Sequence, residues 1–123
     1  MTQEEKDLLL KDLCARLPYG IKCRYQHIQY IENGKIIDIN MFGRVNVDGH
    51  VKDICDVKPY LFPLSSMTEE QKEEYDLICS MSMFDMSESD AMKLIDWCNK
   101  NHYDYRGLIP MGLANDATGL NIY

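Results

Sequence analysis

No apolar run in this chain exceeds a few residues, far short of the roughly 20 that a membrane-spanning helix needs. Its first residues, MTQEEKDLLLKDL, are charged where a secretory leader places a basic start and an unbroken apolar stretch. Neither end carries a lipidation signal. These absences predict a soluble, cytoplasmic protein with no membrane partner. Pairs of cysteine at C-x-x-C spacing are also missing, which removes the zinc-knuckle and thioredoxin-type patterns. The five cysteines (Cys14, Cys23, Cys55, Cys79, Cys98) are odd in number and widely spaced. Reduced, mostly buried thiols acting as small hydrophobes are the expectation.

Catalytic signatures are scarce as well. Neither G-x-G-x-x-G nor G-x-x-x-x-G-K-[ST] occurs, so no glycine-rich loop is set to cradle a nucleotide's phosphates. A serine or cysteine nucleophile needs a base within hydrogen-bond reach. Ser65, Ser66 and the cysteines have only the scattered His27, His50 and His102 for that role, and no G-x-S-x-G links any of them. Asp48, His50 and Asp53 flank a tight turn, where solvated side chains rather than a metal set are expected. The chain therefore leans away from an enzyme without settling the question, and no catalytic residue, cofactor or metal is assigned.

What is present is ordinary for one folded domain. The chain has 123 residues, 46% of them hydrophobic and 27% charged, enough for one core over residues 1–123. The net charge of −7 is unevenly placed. Residues 1–60 balance, whereas residues 61–105 hold ten acids against three bases. Such an acidic half disfavours nucleic acid.

An α+β order follows from periodicity. Thr2-Gln3-Glu4-Glu5 is a capping box, and Leu9, Leu10, Leu13, Cys14 and Leu17 form one apolar stripe, predicting a helix over 3–16. Pro18-Tyr19-Gly20 stops it. Ile21, Cys23 and Tyr25 alternate with polar residues as a half-buried strand, and the phase slips near Gln26-His27 toward Ile28 and Tyr30. Asn33-Gly34 and Asp48-Gly49 are hairpin signals. Between them Ile37, Ile39, Met41, Val45 and Val47 hold one phase, with Gly43 marking a bend. A three- to four-stranded antiparallel meander results, with partial closure into a small barrel left open. Pro59 and Pro63 mark an extended crossover. Thr68-Glu69-Glu70-Gln71 opens a helix to about Ser80, residues 81–88 connect, and Ser87 or Ser89 caps a third helix. That helix places Ala91, Leu94, Ile95, Cys98 and His102 on one face, and an irregular tail follows, docked by Leu108 and Ile109.

Two groups of residues are candidates for binding. Between Trp97 and Gly107 stand four aromatic or imidazole rings with an arginine, and aromatics with arginine are the usual anchors of binding hot spots. His102, Tyr103, Tyr105 and Arg106 are its candidates, with core packing as the alternative. Arg24 and Arg44 fall on the polar side of the meander and, with Tyr19 or Tyr60 nearby, could line a groove for an anionic small molecule or a peptide, or simply face solvent. The acids Glu69, Glu70, Glu73 and Glu74 favour a helix N-terminus, and that role suffices for them.

The segments LPYGIKCRYQ (17–26), DVKPYLFPLSSMTEEQKEEY (56–75) and LIDWCNKNHYDYRGLI (94–109) resemble a group of short acidic proteins encoded in gut bacterial genomes, their phages and mobile elements. The resemblance implies a genomic setting and carries over no activity and no site residue. Together these features predict a non-enzymatic binding or interaction protein, such as a phage or mobile-element accessory factor acting on a host protein. Its expected partner is another protein, with self-association as a further route. The alternative is a binder, or enzyme, taking an anionic small molecule in a pocket between the meander and the C-terminal segment.

Overall fold

The computed structural model describes residues 1–27, 29–40, 42–80 and 88–123. Ile28, Met41 and the connector through Ser87, including Ser87 as a cap, lie outside the described residues.

Helix α1 (Gln3–Arg16) opens on the expected capping box. The Thr2 hydroxyl accepts from the Glu5 amide at 3.1 Å, and the Glu5 carboxylate accepts from the Thr2 amide at 3.4 Å. The buried stripe is Leu9, Asp12, Leu13 and Arg16, still the i, i+3, i+4, i+7 spacing of one face. It is rotated from the expected apolar stripe, so that an acid and a base point inward while Cys14 faces solvent.

Strands β1 (Ile21–His27), β2 (Tyr30–Ile39), β3 (Arg44–Val47) and β4 (His50–Asp53) form a four-stranded antiparallel meander. Asp48 and Gly49, at φ 51° and 96°, make the β3–β4 turn, as a tight hairpin requires. Asn33-Gly34 is not a turn: the β1–β2 reversal falls between His27 and Tyr30, and Gly34 lies mid-strand opposite Cys23. A Cβ at Gly34 would sit 2.7 Å from both Asp48 Oδ2 and Val47 Cγ1. Close approach, rather than positive φ, is why glycine stands there. The phase of β2 also departs from expectation. Ile36 is buried and Ile37 is 56% exposed, because the register shifts between Ile36 and Asp38. Gly43, at φ 75°, belongs to the turn between β2 and β3 and does not bend a single long strand.

The expected crossover is itself a strand. β5 (Val57–Pro63) pairs antiparallel with β1, setting Cys23 opposite Pro59, Arg24 opposite Lys58 and Tyr25 opposite Val57. Its second half holds two short parallel partners, β6 (Tyr103–Asp104) and β7 (Asn115–Asp116). Proline normally argues against an inner strand. Here neighbours of the prolines carry the bonds: the Phe62 amide donates to the His102 carbonyl, and the Leu61 carbonyl accepts from the Ala117 amide, both at 2.8 Å. The order β4-β3-β2-β1-β5-β6, with β7 also on β5, is an open sheet rather than a barrel.

One face of this sheet supplies Ile21, Cys23, Tyr25, Ile36, Val45, Val47, Val57 and Leu61 to a core shared with Leu9, Leu13, Leu108 and Leu113. Removing that apolar surface from water drives the packing. By alternation the opposite face carries Lys22, Arg24, Gln26, Lys58, Tyr60 and Phe62. Helix α2 (Glu69–Ser80) starts on the second capping box, with Thr68 and Gln71 exchanging bonds of 3.2 Å. In helix α3 (Glu88–Lys100), Ser89 lies inside the helix rather than capping it. Cys98 is buried, Ala91 and Leu94 are half-buried, and Ile95 is exposed, so the expected apolar face is only partly used. Of the five thiols only Cys23 and Cys98 are buried, and Cys14 and Cys55 are exposed. Among the described residues no helix is long and apolar enough to cross a membrane.

Candidate functional site

The aromatic segment after α3 turns inward. Trp97 stacks on Tyr103 at 5.5 Å, and Tyr103 packs against Phe62 at 6.2 Å. The Tyr103 hydroxyl donates to Gln71 Oε1, tying β6 to the start of α2. Arg106 Nε lies 3.2 Å from Asp12 Oδ1, and its Nη2 donates to the Tyr105 hydroxyl at 2.9 Å. Asp104 accepts the Leu108 and Ile109 amides at 2.9 Å each, closing the loop that follows. Four expected binding residues, His102, Tyr103, Tyr105 and Arg106, are therefore committed to internal contacts.

His102 shows the cost of that commitment. It ends α3 at φ 62°, a conformation that usually falls to glycine or asparagine. Its ring stacks on Tyr123 at 3.6 Å, and its Nδ1 is buried without a hydrogen-bond partner among the described residues. Burial, with Arg16 and Lys22 adding to it, lowers its pKa to about 4. A base whose folded pKa lies below its unfolded value is bound more weakly by protons in the native state. Stability is then complete above the unfolded value and falls as pH drops toward 4. We expect up to about 3 kcal/mol to be lost between pH 6.5 and 4, less where solvent screens the ring. The His102 ring resonances in an NMR titration should show no midpoint near 6.5, and a midpoint there would refute the expectation.

Arg24 and Tyr60 share a sheet face, whereas Arg44 lies two strands from Arg24. Arg44 is exposed on β3, opposite Asp53 of β4. Tyr60 is buried and donates to Asn33 Oδ1 at 2.6 Å. Arg24 opens on a cleft of about 270 Å³ lined also by Tyr25, Gln26, Ile31, Cys55, Asp56, Lys58 and Asn115. It lies where the meander, β5 and β7 meet. Arg24 and Lys58 stand directly opposite each other across the β1–β5 ladder, a placement that normally costs stability for like charges. Asp56 shares the cleft, yet neither base forms an ion pair among the described residues. Asn115 also lines the cleft, and its Nδ2 is buried without an acceptor among the described residues. Donors therefore outnumber acceptors around one small volume.

No family model, curated protein or solved structure matches this chain. The cleft must be understood from its own chemistry. Arg24 was legible as a candidate; Lys58, Gln26, Asp56 and Asn115 were not. Nothing local marks them, since their convergence depends on β1 pairing with a proline-bearing segment and on β7 returning to it. The residues weighed for a metal go to separate partners. Asp48 Oδ2 accepts the Lys35 amide at 3.2 Å, Asp53 caps the turn at Cys55, and the His50 ring lies 6.5 Å from that of Tyr25. Among the described residues no three metal-ligating side chains converge.

Proposed function

We propose that the protein is a non-enzymatic binding protein for a small anion, taken in the cleft between Arg24, Lys58 and Asn115. What supports this is the direct opposition of Arg24 and Lys58 on one face, a like-charge pair that an anion would convert from a cost into two charge-assisted hydrogen bonds. Gln26, on the same face and lining the same cleft, adds a third donor. A cleft of about 270 Å³ suits a small metabolite. In the expected host-protein interface at 97–107, Tyr103 is buried and His102, Tyr105 and Arg106 are half-buried in internal contacts.

Titration with inorganic phosphate at low ionic strength, followed by amide NMR, tests the proposal. Shifts are expected at Arg24, Lys58 and Asn115, and Arg24→Gln should weaken binding at least tenfold. Lys58→Gln should weaken binding similarly while raising the stability of the free protein by about 0.5 kcal/mol. Shifts spread evenly over Lys11, Lys52 and Lys93 would sink it.

A second reading is favoured by one observation. Glu69, Glu70, Glu73 and Asp76 are exposed on α2 without an ion-pair partner among the described residues, and such a face could engage a basic protein surface through complementary potential. Salt-sensitive capture of a basic partner, lost in Glu70→Lys/Glu73→Lys, would support it. Capture unchanged by these charge reversals would end it.

A further inference from the structure

We infer that the anion is a phosphate monoester whose organic part carries hydroxyl groups, a sugar or polyol phosphate. The inference rests on the cleft being an anion site and adds the class of ligand it takes. Arg24, Lys58 and Gln26 are three side-chain donors on one sheet face around one volume. A phosphate monoester presents three terminal oxygens and close to two negative charges at neutral pH, whereas a carboxylate presents two oxygens and one charge. Three donors, two of them cationic, match the former.

Asp56 decides what hangs from the phosphate. It is exposed, lines the same cleft, and is engaged by neither base. An ionised carboxylate accepts hydrogen bonds and cannot donate them, so it repels a second anionic group and welcomes a hydroxyl. A ligand with two phosphates or an extra carboxylate meets that repulsion; a polyol does not. Tyr25, whose hydroxyl donates to Glu32, and Ile31 supply the apolar part of the lining. The volume of about 270 Å³ also falls below the usual range of cofactor pockets.

The full chain should be titrated with methyl phosphate, glycerol phosphate and acetate, with amide NMR as the readout. Glycerol phosphate is expected to bind at least tenfold more tightly than methyl phosphate, and acetate most weakly. Asp56→Ala should bring glycerol phosphate down to the level of methyl phosphate while leaving methyl phosphate as tight or tighter. Gln26→Ala should weaken both phosphates by the same factor. If Asp56→Ala moves both phosphates equally, the hydroxyl assignment is wrong although the anion site stands. Acetate binding as tightly as methyl phosphate would overturn the phosphate assignment alone. Failure of all three ligands to shift Arg24, Lys58 and Asn115 would remove the anion site itself, and this inference with it.

Discussion

Replacing Arg16 by methionine is expected to cost about 3–5 kcal/mol, the range for breaking a buried ion pair from one side. Arg16 is fully buried, with Nε 2.8 Å from Asp12 Oδ2 and Nη2 donating to the Tyr103 carbonyl at 2.6 Å. Arg16 and Arg106 also lie over the Tyr105 ring, at 5.2 and 4.8 Å. Methionine fills the volume but leaves the Tyr103 carbonyl without its donor and Asp12 with Arg106 alone. Urea unfolding should show a midpoint lowered by about 2 M. Burial raises the Asp12 pKa, and Arg16 is the main opposing influence, so its removal drives that pKa higher still. An acid with a raised folded pKa binds more protons when native, and stability is lost as pH rises through that value. The deficit of Arg16→Met should therefore shrink as pH falls toward 4. The double variant Asp12→Leu/Arg16→Met should be more stable than the single one, because no buried carboxylate is left behind. A single variant within about 1 kcal/mol of the parent would show that the pair is not what holds α1 to the tail.

Gly34→Ala should cost about 3 kcal/mol, at the upper end for overpacking, and lower the melting temperature by about 10 °C. The new methyl would meet Asp48 Oδ2 and Val47 Cγ1 at 2.7 Å and Tyr25 Cε1 at 2.9 Å. Asp48 cannot simply swing away, since its Oδ2 holds the Lys35 amide. Ring resonances of Tyr25 and methyl resonances of Val47 should move together in the variant. A tip-of-turn glycine would give a different result: a strained φ, a smaller loss and no response from Val47. A melting temperature unchanged by Gly34→Ala would contradict the strand placement.

Those two residues also show where reading the chain succeeds and where it stops. Thr2 and Thr68 were legible as caps because their partners, Glu5 and Gln71, lie three residues on. Asp48-Gly49 was legible because positive φ at both residues is a local demand. Asn33-Gly34 carries the same dipeptide signal, yet it serves a contact with Val47 and Asp48, which only a three-stranded register brings near. Arg16 stands in the last turn of α1, where a base is common, and nothing local marks it as buried. It is buried because Asp12, Arg106 and the Tyr103 carbonyl surround it, from segments far apart in the chain.

The candidate site follows the same division. Arg24 was legible as a polar-face residue by period-2 alternation, whereas its opposition to Lys58 was not, since two prolines made β5 read as a crossover. Hydrophobic burial of Val57, Pro59 and Leu61 outweighed the missing proline donors, and the neighbouring residues supplied the bonds. By itself, then, the sequence determined the helices, the caps, the meander, the Asp48-Gly49 turn and the absence of the catalytic and nucleotide-binding motifs that short-range pattern can reveal. These depend on dihedrals and hydrogen bonds between near neighbours. The tertiary structure alone decided which strand lies beside β1, which charges are buried and which donors face the cleft. Those outcomes depend on competition among distant segments for one core, and no local window contains that competition.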